Sequence, residues 1–378
     1  MSSPLSQRLR CGTDPPCPIT AEFLDLSPGL TLVTVRVLLC HFLLNADKAG
    51  FFLDRERFLH TLSSTDACAQ LGFSLINAIC LWGARFSTDE TLRAHEARFL
   101  ASAAQAHVQD LARDHLHHLL HSIQAAVLLA NYFFAMGCIL KGRYYCNAAV
   151  AVSRVLQMRC DAGSSEERDA LCAVFTADIL WSAALSLPSH VDIPQCLQSR
   201  RSVLEYTIAN DHVDRTFFEL RTKAASLLER VSRFASSTGN PTIGQDNAAF
   251  DSLHIALDQM MAMLPPVERT TDHRVLNELV TIHTITHVAQ IKLYSSSACT
   301  GKVLEAALAS VALLQFTGGV LVSPIMAPLW TTIAHTLNTL QRKLHCRIVV
   351  EALAQLLTTM NLYAHTYPLM TKHLHTLQ

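Results

Sequence analysis

Four histidines crowd one short stretch, His115, His117, His118 and His121. On a helix, His117 and His121 would lie one turn apart on the same face, the spacing at which two imidazoles share a zinc ion. A structural site needs four ligands, and no cysteine or acid follows at a spacing that closes one. The cluster is therefore expected to be a polar helix face. A second pair, His283 and His287 in HTITH, has the spacing of a zinc protease, but Thr284 stands where the general-base glutamate belongs. The phosphate-cradling patterns G-x-x-x-x-G-K-(S/T) and G-x-G-x-x-G and the nucleophile elbow G-x-S-x-G do not occur. Neither a metal nor another cofactor is expected in this chain, and an enzyme is not the expectation.

Charged residues inside apolar runs carry more information. Leu171, Phe175, Asp178, Ser182 and Leu185 share one helical stripe, which places Asp178 among core positions. A buried carboxylate needs a partner or it neutralises. Arg154, which interrupts the apolar run Ala149–Leu156 on the preceding helix, is the expected partner. Helices joined by a connection as short as Cys160 to Ser165 should pack side by side, with 154 and 178 at comparable height. A structural pair is the expectation; contact with a carboxylate effector is the functional alternative. Arg85 is expected to form a similar ion pair, and Trp82 and Trp181 are expected to be core aromatics.

The stretch Asn210-Asp211-His212-Val213-Asp214 with Glu219 is similar to the magnesium-binding triad of terpene cyclases, which are also all-α. Glu219 falls one residue late for that triad, and no Asp-Asp pair supplies the second metal site. The start of a helix is the expectation here. An enzyme of terpene-cyclase type is kept as an alternative function.

The elements that must position these residues are helices. Apolar segments with a three-to-four-residue period run over about 30–46, 54–62, 67–84, 88–111, 115–138, 141–158, 166–186, 211–235, 247–264, 272–295, 301–316, 324–344 and 347–364. No convincing period-two segment appears. The expected fold is all-α, a multi-helix array of antiparallel packed helices. Leu116, Leu119, Ile123, Val127, Ala130 and Phe134 form one apolar stripe, with His117, His121, Gln124 and Asn131 opposite. Gly137, Gly142, Gly163 and Pro188 punctuate residues 122–191. Ser87-Thr88-Asp89-Glu90 and Ser164-Ser165-Glu166-Glu167 have the character of helix starts with acidic first turns. Residues 1–29, with five prolines, are expected to be an extended leader, and 30–378 a helical domain with a soft sub-boundary near 240, in the turn-rich loop Ser236 to Gln245.

Half of the 378 residues are hydrophobic and 16% are charged, which excludes a disordered chain. Thirty basic against thirty-one acidic residues leave no basic field for gripping phosphates, so direct DNA binding by this chain alone is not expected. Twelve cysteines without a C-x-x-C pair fit a reducing compartment better than a disulfide framework. The first twenty residues hold no apolar run of a secretory signal. The most apolar stretches, Leu119 to Leu140 and Leu30 to Leu44, carry His121, Gln124 and Asn131 in one and Arg36 and His41 in the other. Core helices, not membrane spans, are expected.

Several segments in order resemble the middle homology region of fungal zinc-cluster transcription factors. These are AGFFLDRERFL (49–59), LINAICLWGARF (75–86), SIQAAVLLANYFFAMGCIL, GRYYCNAAVAVSRVLQM and EERDALCAVFTADILWSAALSLPSHV. LEAALASVALL (304–314) and SPIMAPLWTTIAHTL (323–337) are similar to late helices of some members. The resemblance implies a nuclear transcription regulator whose helical domain modulates an attached DNA-binding module in response to a small-molecule effector or a protein partner, with homodimerisation as one form of partnering. By resemblance DNA is the partner of the family's zinc module, and zinc belongs to that module alone. Here Cys11 and Cys17 are the only cysteines before Cys40, so the six-cysteine cluster is not present in this sequence. A fragment, a truncated product, a natural form without its DNA reader, or an interaction scaffold that has lost DNA reading all fit that departure.

Overall fold

A computed structural model describes residues 31–62, 71–111, 116–159, 165–189, 213–237, 245–270, 272–297, 299–318 and 321–377. Among them every regular element is helical, as the periodicity requires, and no strand occurs. In chain order these are α1 (Leu32–Leu43), α2 (Ala46–Ala49), α3 (Arg55–Leu62), α4 (Phe73–Phe86), α5 (Glu90–Arg93), α6 (Glu96–Asp110), α7 (Leu116–Ala135) and α8 (Ile139–Arg159). They are followed by α9 (Ser165–Ala184), α10 (Val213–Ser237), α11 (Gln245–Met263), α12 (His273–Ser296), α13 (Thr300–Ala312), α14 (Met326–Leu344), α15 (Arg347–Ala364) and α16 (Pro368–Leu377). The extended leader expected over residues 1–29 lies outside the described residues. No helix among the described residues is long and apolar enough to cross a membrane.

Local chemistry sets the helix ends. Asp89 caps α5 by accepting the Thr91 amide at 2.8 Å, with Glu90 in the first turn. Gly137 takes φ +69°, a conformation open to glycine at no steric cost, and turns the chain from α7 into α8. Gly142, expected as a further break, sits inside α8 instead. One glycine costs a helix only about 1 kcal/mol, too little to end it. The segment expected as one helix over 88–111 divides at Ala94 and His95, and α16 was not foreseen.

The chain divides into two compact units, each with its own core. The first comprises the described residues of Met1–Phe133 together with Ile139–Val174; the second comprises Phe134–Cys138 and Phe175–Gln378. Residues 238–244, in the loop proposed as a soft boundary, lie outside the described residues, and α10 and α11 on either side pack together in the second unit.

In the first unit α4 is buried from Ser74 to Phe86, between α1 and α6. Gly83 lets α1 cross closely, because a Cβ there would run into the backbone carbonyl of Leu38. Asp110 meets the start of α4 through the Ser74 amide at 2.9 Å, and Glu96 meets its end through Arg85 at 3.2 Å, so α4 and α6 run antiparallel. Gly72, at φ +76°, has no side chain to cap α4, and Asp110 supplies the missing acceptor from another helix. The Trp82 indole donates to the Leu128 carbonyl at 2.9 Å, which ties in α7.

The expected polar face of α7 is not a solvated one. Gln124 is wholly buried, and Asn131 donates to the Ala49 carbonyl at 2.8 Å. Both amides serve the backbone of the end of α2 at Ala49 and of the non-helical strip that follows it, residues 50–53, whose peptide groups need partners once buried. Alternation of polar and apolar residues reads the same whether the polar face meets water or a buried loop.

In the second unit α12 lies against α10, α11, α13 and α14 and is buried without interruption from Thr281 to Ala289. Its threonines return their hydroxyls to carbonyls one turn back, Thr284 to Val280 at 2.7 Å and Thr286 to Ile282 at 2.9 Å, so their burial leaves no donor stranded. Tyr363 and Tyr367 reach the Thr317 and Val322 carbonyls at 2.8 and 2.6 Å, fixing α15 and α16 to the chain before α14.

Candidate functional site

The C-terminal turns of α9 gather the polar side chains that need explaining. The helix ends because Ser186 adopts φ +55° and the Leu187 amide reaches back to the Ser182 carbonyl at 2.8 Å. Pro188 follows, where a helix cannot continue. This reversal returns the chain over the last turns of α9. The Ser189 hydroxyl donates to Asp178 Oδ2 at 2.9 Å, and Ser182 donates to the Pro188 carbonyl at 3.4 Å. Asp178 is wholly buried, as its place on the stripe required. Trp181 stacks on Phe134 at 4.4 Å between ring centroids.

Lys292, from α12, donates to the Ala183 carbonyl at 2.8 Å and to Ser232 Oγ of α10 at 3.0 Å. A cation at the last carbonyls of a helix meets the negative end of its dipole. Among the described residues no carboxylate pairs with this ammonium, and burial pulls its pKa below the ordinary lysine value. Lys292 thus joins α9, α10 and α12 through one amine. Nearby in sequence, Thr176 and Thr222 share a hydrogen bond at 2.8 Å, and Arg221 meets Glu278 at 3.3 Å. The α9–α10–α12 seam is polar at its centre.

Sequence reasoning found Asp178 and passed over Lys292. The available signal was a base lodged between Ile291 and Leu293, the lone charge after Glu278 in α12. Arg154 is exposed on α8, in the first unit. Its pairing with Asp178 is carried forward as a proposal.

The other sites foreseen from the sequence take these places. His283 Nε2 lies 3.0 Å from the Pro265 carbonyl and His287 Nδ1 lies 3.0 Å from Gln290 Oε1. A carbonyl only accepts, so His283 carries its proton on Nε2. Burial lowers both pKa values and favours the neutral rings. His118 and His121 are half-buried on α7, while His115 and the side chain of His117 lie outside the described residues. No three histidine, cysteine or acid side chains converge as a metal set among the described residues. Of the terpene-cyclase-like stretch, Asn210 to His212 lie outside the described residues, and α10 begins at Val213. Arg85, buried, forms an ion pair with Glu96, whose Oε1 also accepts the Tyr132 hydroxyl at 2.6 Å.

A third polar cluster was not foreseen. His107 is buried on α6, with Nδ1 3.4 Å from Ser122 Oγ, and among the described residues its Nε2 has no hydrogen-bond partner. Burial lowers its pKa, and the nearby Asp110 charge opposes part of that shift.

No curated protein and no solved structure matches the chain. A family model, the fungal specific transcription factor domain, matches residues 41–291, from α1 into α12. The match takes in the motifs between residues 49 and 190 on which the resemblance rests, and it stops before the similar late segments at 304–314 and 323–337. With two thirds of its residues under that model, the chain belongs to the fungal specific transcription factor domain family, a family of transcription regulators.

Proposed function

We propose that this chain is the regulatory helical part of a nuclear regulator of RNA polymerase II transcription, and that it works by shifting between two packings of the α9–α10–α12 seam. The observation that carries this reading is Lys292. A half-buried amine held by two neutral oxygens keeps a third N–H, and no described carboxylate compensates its charge. A small acidic effector, or an acidic side chain of a protein partner, would bind unequally to packings that differ in the placement of that amine. Unequal affinity is what moves an equilibrium between states. DNA reading belongs to an attached module and not to this near-neutral chain.

The test fuses the chain to a heterologous DNA-binding module with a matching reporter gene. The fusion should alter reporter output, and Lys292→Met should remove the dependence of that output on growth conditions while nuclear accumulation persists. The isolated chain should show no sequence-selective DNA binding in a gel-shift titration at physiological salt. Unchanged reporter output with and without the chain would refute the regulatory reading.

A further inference from the structure

A carboxylate, an imidazole and an amine meet in the second unit, where α12 packs against α11 and α13. His254 and Asp258 stand one turn apart on α11, with His254 Nδ1 3.6 Å from Asp258 Oδ2 and 3.1 Å from the Tyr294 hydroxyl of α12. Lys302, in the first turn of α13, places Nζ 3.4 Å from His254 Nε2 and 4.9 Å from the centroid of the Tyr294 ring. Lys302 is exposed and His254 half-buried, and a Cβ on the neighbouring Gly301 would meet no atom within 4 Å. A reagent from solvent can therefore reach the amine.

The lysine fixes the imidazole tautomer. An ammonium only donates, so His254 Nε2 accepts from it and the ring proton sits on Nδ1, facing the Tyr294 oxygen and the Asp258 carboxylate. Asp258, His254 and Lys302 then stand in the order of an orienting acid, a base and a nucleophile. Burial raises the Tyr294 pKa, and the charges of Asp258, Glu305 and Cys299 raise it further, so its hydroxyl stays protonated and does not compete as the base.

We propose that Lys302 is a self-acylating lysine, which takes its acyl group from a soluble acyl thioester. Once the amine has given one proton to solvent, its lone pair attacks the thioester carbonyl and a C–N bond forms. His254 Nε2 takes a second proton from the attacking nitrogen, and Asp258 steadies the imidazolium that results. The C–S bond then breaks and the departing sulfur takes that proton from Nε2, which leaves an amide on Lys302 and a free thiol. Help from a positioned base is worth about a hundredfold or more. Attraction of an exposed cation to a ring face is worth a factor of about five at most, so the hold of Tyr294 does not outweigh the base. The amide is neutral, and acylation thereby removes the cation from the Tyr294 face. This site does not rest on the Lys292 reading.

The test incubates the full chain with acetyl-coenzyme A at neutral pH, strips acyl groups from cysteine with hydroxylamine, and follows each lysine by mass spectrometry. Lys141 is the internal standard. It is exposed and lies 5.5 Å from the Phe133 ring centroid, so it shares the ring but, among the described residues, bonds no imidazole. Lys302 should acetylate at least about tenfold faster than Lys141. His254→Gln should bring the two rates together. Asp258→Asn should cut the excess about threefold or more without moving the thermal midpoint, since that side chain is 59% exposed. If His254→Gln does not fold, Asp258→Asn decides in its place. Equal rates in the parent chain, or an excess that the deciding variant leaves undiminished, would overturn the proposal. An excess that survives His254→Gln and vanishes in Cys299→Ser would overturn it in favour of a relay through that exposed thiol.

Discussion

The side-chain oxygen of Gln124 lies 2.7 Å from the backbone nitrogen of Phe52, seventy-two residues earlier in the chain. The same oxygen lies 3.4 Å from the Leu53 nitrogen, and the amide nitrogen of Gln124 donates to the Gly50 carbonyl at 3.1 Å. One buried side chain thus satisfies three peptide groups of the turn between α2 and α3. Gln124→Met, close in volume and apolar, should strand those groups. A loss of about 2–4 kcal/mol is expected, since an unsatisfied buried group costs about 1–3 kcal/mol. Urea denaturation measures it, and a loss below about 0.5 kcal/mol would show that the turn finds other partners.

Two glycines should respond with opposite sign. Gly83→Ala would push α4 away from the Leu38 backbone and should destabilise by about 1–3 kcal/mol or more. Gly301 stands in the first turns of α13 with open space about it, so Gly301→Ala should gain up to about 1 kcal/mol from helix propensity and a less flexible unfolded chain. Thermal midpoints of the two variants should bracket that of the parent.

Asp178 and Arg154 call for a double-mutant cycle. Asp178→Asn keeps an oxygen for Ser189 while removing the charge. Breaking a buried ion pair costs about 3–5 kcal/mol, whereas losing a charge-assisted hydrogen bond alone costs about 1.5–3 kcal/mol. If Arg154 is the partner, the cycle with Arg154→Gln should give a coupling of at least about 1 kcal/mol. A coupling near zero assigns the buried carboxylate to other groups.

Histidines that are buried or half-buried make the fold sensitive to acid. His107, His283, His287 and His373 all have pKa values lowered from the ordinary 6.5, with burial as the largest cause. Below 6.5 the unfolded chain takes up protons that the folded chain still refuses. The unfolded state then binds more protons, and stability falls as pH drops from about 6.5 toward the lowered values. The urea midpoint should be lower at about pH 5.5 than at about pH 7.5, and His287→Gln should flatten that slope. A midpoint that rises on acidification would contradict the burial of these rings.

The helices were legible because each repeats an apolar stripe, and their ends were legible where a side chain performs the capping, as at Asp89. Asp178 stood out as an acid on an apolar stripe. Gln124, His107 and Lys292 did not, because their partners are backbone groups or side chains far away in the chain. A glutamine facing water and a glutamine holding a buried turn occupy the same kind of sequence position. Gly142 misled for a related reason: in α8 the cost of a glycine is outweighed by the packing of its neighbours, which no local pattern displays.

The burial of α12 on all sides also has a consequence for how the protein is made. Its neighbours α13 and α14 are translated after it, so a nascent chain that has just released residue 296 from the ribosome holds an apolar helix with part of its covering still unmade. Until α14 emerges, that surface is open to chaperones or to other unfinished chains. Expression fragments that end inside α12 freeze the protein at this stage, and soluble material is to be sought from fragments that run through α16.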